Sequence, residues 1–596
     1  MKLRFLFVLL IVLLSVSSCE HTVSGEAPDL PENYPDPDLP VVQAEQLPAG
    51  WGDMSNIPAA IPDGIAKKSV IQAFDISDSD PDTTISTTAG ADAVIILADN
   101  ASSVSGSDTS GVAITGNVIK ITKEGTYALN GSLSNGKVIV DVNKQVFLVL
   151  NGVSITSNDG SPLAIFNSKK KVVTLAAGTE NVLTDAITYS YIYDGEGTGK
   201  EPNGALFSQK ALTINGTGSL QVTGRSNNGI SCKGDLKIMS GTIRVNSPDN
   251  ALKGNDSIVI KGGTITLNSA EDGMKTNTDD ADAKKLAEQL IYIENATLNV
   301  TAGKDGIQAY EAVWIKGANT NITVKTGGGS TGSVYEGADS LKAIKAALGI
   351  LIEGGTINLD ARDDAIHSND TVIISGGNIN IKTDDDGIHG DELVLVEGGA
   401  ISVTQSYEGL EAAKVVIKNG SIILNASDDG ISASIGEHQA SSEAHVIFAG
   451  GNTRIHARGD GVDANGSILF TGGEFGIVHY GSRTEHEPID TDLGWLIRGG
   501  TLYAASDGDF QWPLRNEELQ KCILFVFNQK DAGTRFVIKD LEKNIAADWT
   551  PDKAFSRIMM SSPGLNGDTN EVYSLYINTE KVKSFTLPYQ ANKLDL

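Results

Sequence analysis

From about residue 228 the chain alternates apolar and polar positions in bursts of roughly five residues, the period of a half-buried strand rather than a helix. The pattern is clearest in "GIHGDELVLVEGGAISVTQSYEGL", residues 387–410: a short strand, a turn, an alternating strand, Gly-Gly, another alternating strand and an acidic turn. Aligning on the apolar residue of the first strand gives Ile230, Leu252, Met274, Ile307, Leu341, Ile366, Ile388, Leu410, Ile431 and Val462. The spacings are 22, 22, 33, 34, 25, 22, 22, 21 and 31, so the base period is 22 and longer steps carry insertions. Three strands per 22 residues leave no room for a βαβ crossover, and the period is too short for a propeller blade. The expectation is an all-β chain built as a right-handed parallel β-helix of about 22 residues per coil over residues 91–498. Residues 499–596, with "CILFVF", "TRFVIKD" and "EVYSLYIN", read as a small β-rich cap.

In such a stack a residue sits about 4.8 Å above its counterpart one repeat away, so an alignment column becomes a surface stripe. The third-strand column, Arg244, Thr266, Asn299, Thr323, Asn358, Asn380 and Ser402, is polar and reads as solvated. The second-strand column, Val259, Tyr292, Trp314, Leu351, Ile373, Leu395, Val416, Ile447 and Leu469, is apolar and calls for a cover. The candidates are the helical-looking insertions at 280–290 and 341–349 or the C-terminal segment; the alternative is an exposed sugar-stacking platform at Tyr292 and Trp314.

The acidic corner carries the candidate chemistry. Two positions before the apolar anchor stand Asn228, Asn250, Asp272, Asp305, Asp339, Asp364, Asp386, Glu408, Asp429 and Asp460; one step earlier, Asp363, Asp385 and Asp428 double the carboxylate. Neighbouring carboxylates at 4.8 Å repel by roughly 3.5 kcal/mol at an effective dielectric near 20. Hard oxygen ligands in this density favour Ca²⁺, and the metal candidates are Asp272, Asp339, Asp363, Asp364, Asp385, Asp386, Glu408, Asp428, Asp429 and Asp460. Asp-Gly turn chemistry accounts for single aspartates without a metal, and less well for the pairs. The column after the anchor supplies Lys253, Lys275, Lys342, His367, His389 and Glu411 as candidate carbohydrate-binding residues. Lysines beside calcium also suit β-elimination on a uronate, and His367 above His389 with Glu411 suits a softer metal; salt bridges to the acidic column are the plainer reading.

Composition narrows the partners. A formal net charge of −29 without a basic stripe excludes nucleic acid as a direct partner. Residues 1–19 read as a lipoprotein signal peptide: Lys2 and Arg4, an apolar run from Phe5 to Leu14, then "VSSC" ending at Cys19, the expected lipidation site. Residues 20–90, rich in proline and acidic residues, read as a tether, and no later run is long enough to span a membrane. The expected location is therefore the cell envelope, at the outer membrane or cell surface, with the lipid as sole anchor and the chain a monomer. Only Cys232 and Cys522 remain after Cys19, too few for a disulfide framework.

The order of "ADAVIILADN", "GTYALNGSLSNGKVIVDV", "DSLKAIKAALGILIEGGTINL", "DDAIHSND", "DDDGIHGDE" and "GGTLYAASDGDF" resembles the calcium-containing carbohydrate-binding β-helix proteins, over residues 91–596. That resemblance implies calcium at the acidic corner, pectate-lyase-like coils and a polysaccharide partner, polygalacturonate-like or cellulose-like. The function expected is polysaccharide binding by an envelope lipoprotein, with a calcium-dependent pectate-type lyase and a structural adhesin or stalk as alternatives.

Overall fold

The structure is a computed structural model that describes residues 65–167, 170–190, 201–276, 289–435, 440–481, 486–513 and 520–596, all within one compact unit. The signal peptide, Cys19, the tether up to residue 64 and most of the 280–290 insertion lie outside the described residues.

The chain is all-β. One 45-stranded mixed sheet holds nearly every strand, and a separate four-stranded antiparallel sheet lies near the C-terminus. Through the repeats each strand pairs in parallel with its counterpart one unit away. Ile230, Leu252, Met274 and Ile307 stack in register, followed by Ile344, Ile366, Ile388, Leu410, Ile431 and Val462. Leu341 is thus not the anchor of its unit: Ile344 is, and the 341–349 stretch forms the strand Ile344–Ala346 instead of a helix. The insertion ends three residues later than the alignment placed it. The second- and third-strand columns pair as aligned, Tyr292 on Trp314 on Leu351 and Asn299 on Thr323 on Asn358.

Two devices hold the stack. Inward side chains of all three columns form one continuous apolar core, with the anchor residues fully buried. At the Gly-Gly corner the second glycine has positive φ, from 80° at Gly451 to 100° at Gly377, so a side chain there would be strained; Ala296 and Thr320 take that place in two units, where Asn295 and Gly317 have the positive φ instead.

The apolar second-strand face is buried, with Tyr292 and Trp314 packed edge-on at 5.1 Å and closed to sugars. Among the described residues its cover includes neither insertion but a stretch expected to be tether: the helix Ile65–Gln72 lies against the strands Ala312–Lys316 and Gly349–Asp360, and Ile71, Phe74 and Ile76 join their cluster. Ion pairs fasten it, Lys67 to Asp370 at 2.5 Å, Lys68 to Glu397 at 3.2 Å and Lys261 to Asp78 at 2.8 Å. Fully buried Asp82 anchors the far end on Lys170 and Thr213. Residues 65–90 are therefore a docked strap. At the other end the strand Thr501–Ser506 still stacks on Glu474–His479, then pairs antiparallel with Phe555–Ser561.

Candidate functional site

The acidic corner is a ladder with a shared backbone brace. Oδ1 of Asp272, Asp305, Asp364, Asp386, Asp429 and Asp460 accepts the backbone N–H of the ladder residue one unit on: Asp305, Lys342, Asp386, Glu408, Asp460 and Glu487 respectively. One oxygen of each carboxylate thus joins successive turns, a structural use of one aspartate per repeat. The second oxygen is the freer of the two to meet a cation.

What meets that oxygen changes along the stack. Asp272 Oδ2 bonds Lys275 Nζ at 2.7 Å, and Asp305 Oδ2 lies 3.8 Å from Lys345 Nζ. Lys342, expected in the carbohydrate-binding column, occupies the ladder position itself, and its Nζ reaches Asp363 at 2.7 Å and Asp364 at 2.6 Å. Asp364 Oδ2 also meets His367 Nδ1 at 2.8 Å, and Asp386 Oδ2 meets His389 Nδ1 at 3.2 Å. Asp460 Oδ2 meets His486 Nδ1 at 3.1 Å. Among the described residues no cation faces Asp429 Oδ2, and Glu408 Oε2 is sealed from solvent without a hydrogen-bond partner. Asp339, exposed on the inserted loop, is outside the ladder, and with Asp272 it drops from the metal candidates.

Ionisation follows burial more than the neighbouring group: Asp305, Asp386 and Asp460 are raised by burial although Lys345, His389 and His486 face them. Burial disfavours the charge of Asp364, yet His367 and Lys342 hold its carboxyl below the usual range. Lys342 loses solvation by burial, but Asp364 and Asp363 keep it protonated more firmly than a free lysine. Burial and then Asp460 push Asp429 up to about 8, and burial with Asp364 and Asp363 pushes Asp385 to about 7. Glu408 rises well above its ordinary value through burial and the charges of Asp386 and Glu411. Asp463 and Glu487 are each raised to about 7 by burial and Asp490.

The three adjacent aspartates of "TDDDGIHG" divide the work. Asp384 accepts from the backbone N–H of Thr331 at 2.6 Å and of Gly332 at 2.7 Å and pairs with Arg362, pinning the inserted loop. Asp385 and Asp386 belong to the corner.

Beside the cation-poor rungs opens a cleft of about 560 Å³ lined by Val334, Tyr407, Ser427, Asp428, Arg458, Gly459, Tyr480, Gly481 and His486. The Tyr407 hydroxyl bonds Asp428. The guanidinium of Arg458 and the ammonium of Lys553 sit 5.8 and 5.0 Å from the Tyr480 ring centre. Gly459 makes the floor possible, because a Cβ there would stand 2.3 Å from Asp429 Oδ1 and 2.6 Å from Asp428 Oδ1. Asp428 and Asp429 were legible in the sequence, and Tyr407 was read only as a departure in the column of doubled carboxylates; Arg458, Tyr480 and His486 were missed, since none was among the columns singled out. Tyr407, next to Glu408 in place of an aspartate pair, was the one available signal. In the column after the anchor, Lys253, Lys275, His367, His389 and Glu411 fall as aligned, with Lys345 in the place expected of Lys342.

The site is thus an all-β repeat stack with a cleft lined by two tyrosines and Arg458 beside an acidic ladder. The family described as "Carbohydrate-binding domain-containing protein" matches residues 115–387 and 384–512, more than half of the chain, and the chain belongs to that family. A relative of the same description from Acetivibrio thermocellus is 37% identical over 144 residues, 24% of this chain and 49% of the relative, so the chain spans about half the length of the curated relative it matches. A solved structure, a polysaccharide lyase-like protein from C. thermocellum in a gadolinium derivative, is 32% identical, covers 40% of this chain and 92% of its own, and has a TM-score of 0.37.

Proposed function

We propose that the protein binds acidic polysaccharide in the cleft between Tyr407 and Tyr480, with Ca²⁺ held below it by Asp428, Asp429, Asp460 and Glu408. We infer that the three strand columns close into a right-handed parallel β-helix, carried at the cell envelope by a lipid on Cys19. The observation that carries the reading is the cleft itself: Tyr407 and Tyr480 line it beside Asp428, Arg458 offers a cation to uronate carboxylates, and Lys553 stands with Arg458 on the Tyr480 ring. The residues present suit calcium, which takes six to eight oxygens in flexible geometry. The orphaned Glu408 oxygen, and the Asp429, Asp460 and His486 ligand atoms gathered within 4.8 Å of one another, mark where a cation fits. When bound, the ion supplies positive charge and an electrophilic contact for a uronate oxygen.

The lyase alternative loses its base. Lys342 is clamped between Asp363 and Asp364 and stays protonated, and Lys275 is bound to Asp272, whereas a lysine acts as a general base only once it has lost its proton. The test is binding of the full chain to polygalacturonate and to cellulose in calcium, with Tyr480→Ala and Arg458→Ala. The expected result is retention on polygalacturonate, at least tenfold weaker in each variant, without release of unsaturated oligosaccharides. Wild-type affinity in both variants would move binding away from this cleft, and ultraviolet-absorbing unsaturated products would restore the lyase.

A further inference from the structure

A second cluster lies two units away from Asp429 in the stack. An imidazole Nδ1 carries at most one proton, yet two carboxylate oxygens converge on that of His389: Glu411 Oε2 at 2.6 Å and Asp386 Oδ2 at 3.2 Å. The opposite ring nitrogen, Nε2, is 3.1 Å from Asp391 Oδ1. With Nε2 held by Asp391, Nδ1 faces the two carboxylates, so an ion that displaces the Nδ1 proton finds three donor atoms turned toward one another. Carboxylate behind imidazole behind metal is the arrangement by which proteins orient a ligating histidine.

We propose that Asp386 Oδ2, His389 Nδ1 and Glu411 Oε2 bind one borderline divalent transition-metal ion, separate from the calcium position at Asp429. These three atoms lie within 4.8 Å of one another, the range from which a metal gathers its ligands. The mixed nitrogen and oxygen set favours Zn²⁺ and its neighbours over Ca²⁺, which prefers oxygen alone. His367 stacks on His389 at 4.7 Å, with its own Nδ1 turned to Asp364, and limits the tilt of the ligating ring. His389 and Glu411 also line a cleft of about 410 Å³, so a metal with three protein ligands keeps an open position toward it. The proton is the competitor. Burial opposes protonation of His389, but hydrogen bonds to Asp386 and Glu411 outweigh it and raise the ring to about 11, so metal binding releases a proton and strengthens with pH.

The test uses the full chain in saturating Ca²⁺, with Zn²⁺ titrated calorimetrically and Co²⁺ as a spectroscopic probe. One equivalent of Zn²⁺ is expected, with visible Co²⁺ absorption of low coordination number. His389→Gln should lower Zn²⁺ affinity at least a hundredfold, and Asp391→Asn about ten- to a hundredfold. Asp429→Asn should leave it unchanged, so failure of the calcium reading and of this one remain distinguishable. Should His389→Gln fail to fold, Asp391→Asn carries the test, because the Asp391 side chain is half exposed at 49% and outside the ladder. Wild-type affinity in folded Asp391→Asn and His389→Gln, or Zn²⁺ binding that calcium abolishes, overturns the site.

Discussion

The rungs at Asp272, Asp305 and Asp364 and the rung at Asp429 share one backbone brace and differ in what faces the second carboxylate oxygen. In the first region Lys275, Lys345 and Lys342 stand opposite, so a cation is supplied within the chain. In the second, no cation meets Asp429 Oδ2 among the described residues, and the carboxyls are pushed toward protonation. Among the described residues the same column thus carries built-in cations at Asp272, Asp305 and Asp364 and none at Asp429. The cleft opens beside the Asp429 rung.

The largest test of that contrast is Lys342→Met. It removes the ammonium from between two nearly buried carboxylates, and breaking such a pair costs about 3–5 kcal/mol. Denaturant unfolding should show that loss with or without calcium. A loss under 1 kcal/mol would mean that the first region is not balanced from within.

Chelation addresses the second region. A calcium site filled at 100 times its dissociation constant adds about 2.7 kcal/mol, so chelator should lower the melting temperature and calcium restore it. Asp429→Asn should abolish that response, and Asp272→Asn, at a lysine-paired rung, should leave it intact. Equal responses in the two variants would erase the distinction between the regions.

The smallest effect is in pH. Asp429 near 8 and Asp385, Asp463 and Glu487 near 7 are raised above the value of about 4 that carboxyls have in the unfolded chain. A raised carboxyl binds its proton more tightly when folded, so its contribution is fully present below pH 4 and is lost as pH climbs through 7 to 8. In chelator, stability should decline between pH 5 and pH 8, and calcium should flatten the decline by replacing the protons. A rise over that interval would show the carboxyls to be ionised and compensated.

Much of this organisation is legible in the sequence. The alternating pattern gives the strands, and the spacing of Ile366, Ile388 and Leu410 gives the stacking, because in a parallel stack the repeat fixes which residues become neighbours. The error at Leu341 has a local cause. Leu341 and Ile344 are both apolar and follow an insertion, so either suits the core, and only backbone pairing with Ile307 and Ile366 selects Ile344. That three-residue shift moves Lys342 from the binding column into the ladder and turns a candidate base into a structural counter-ion. The strap was illegible for another reason: its proline and acidic residues have the composition of a spacer, and its docking depends on partners hundreds of positions away, such as Asp370 for Lys67.

By itself the sequence determined the period, the anchor columns and the crowding of carboxylates at one corner, because each depends only on residue order along a regular strand. The tertiary structure decided which carboxylate oxygen is braced, which meets a cation and which is left bare. Those outcomes depend on side chains brought together from separate units and from the C-terminal segment, at distances where a shift of one ångström separates an ion pair from an unpaired charge.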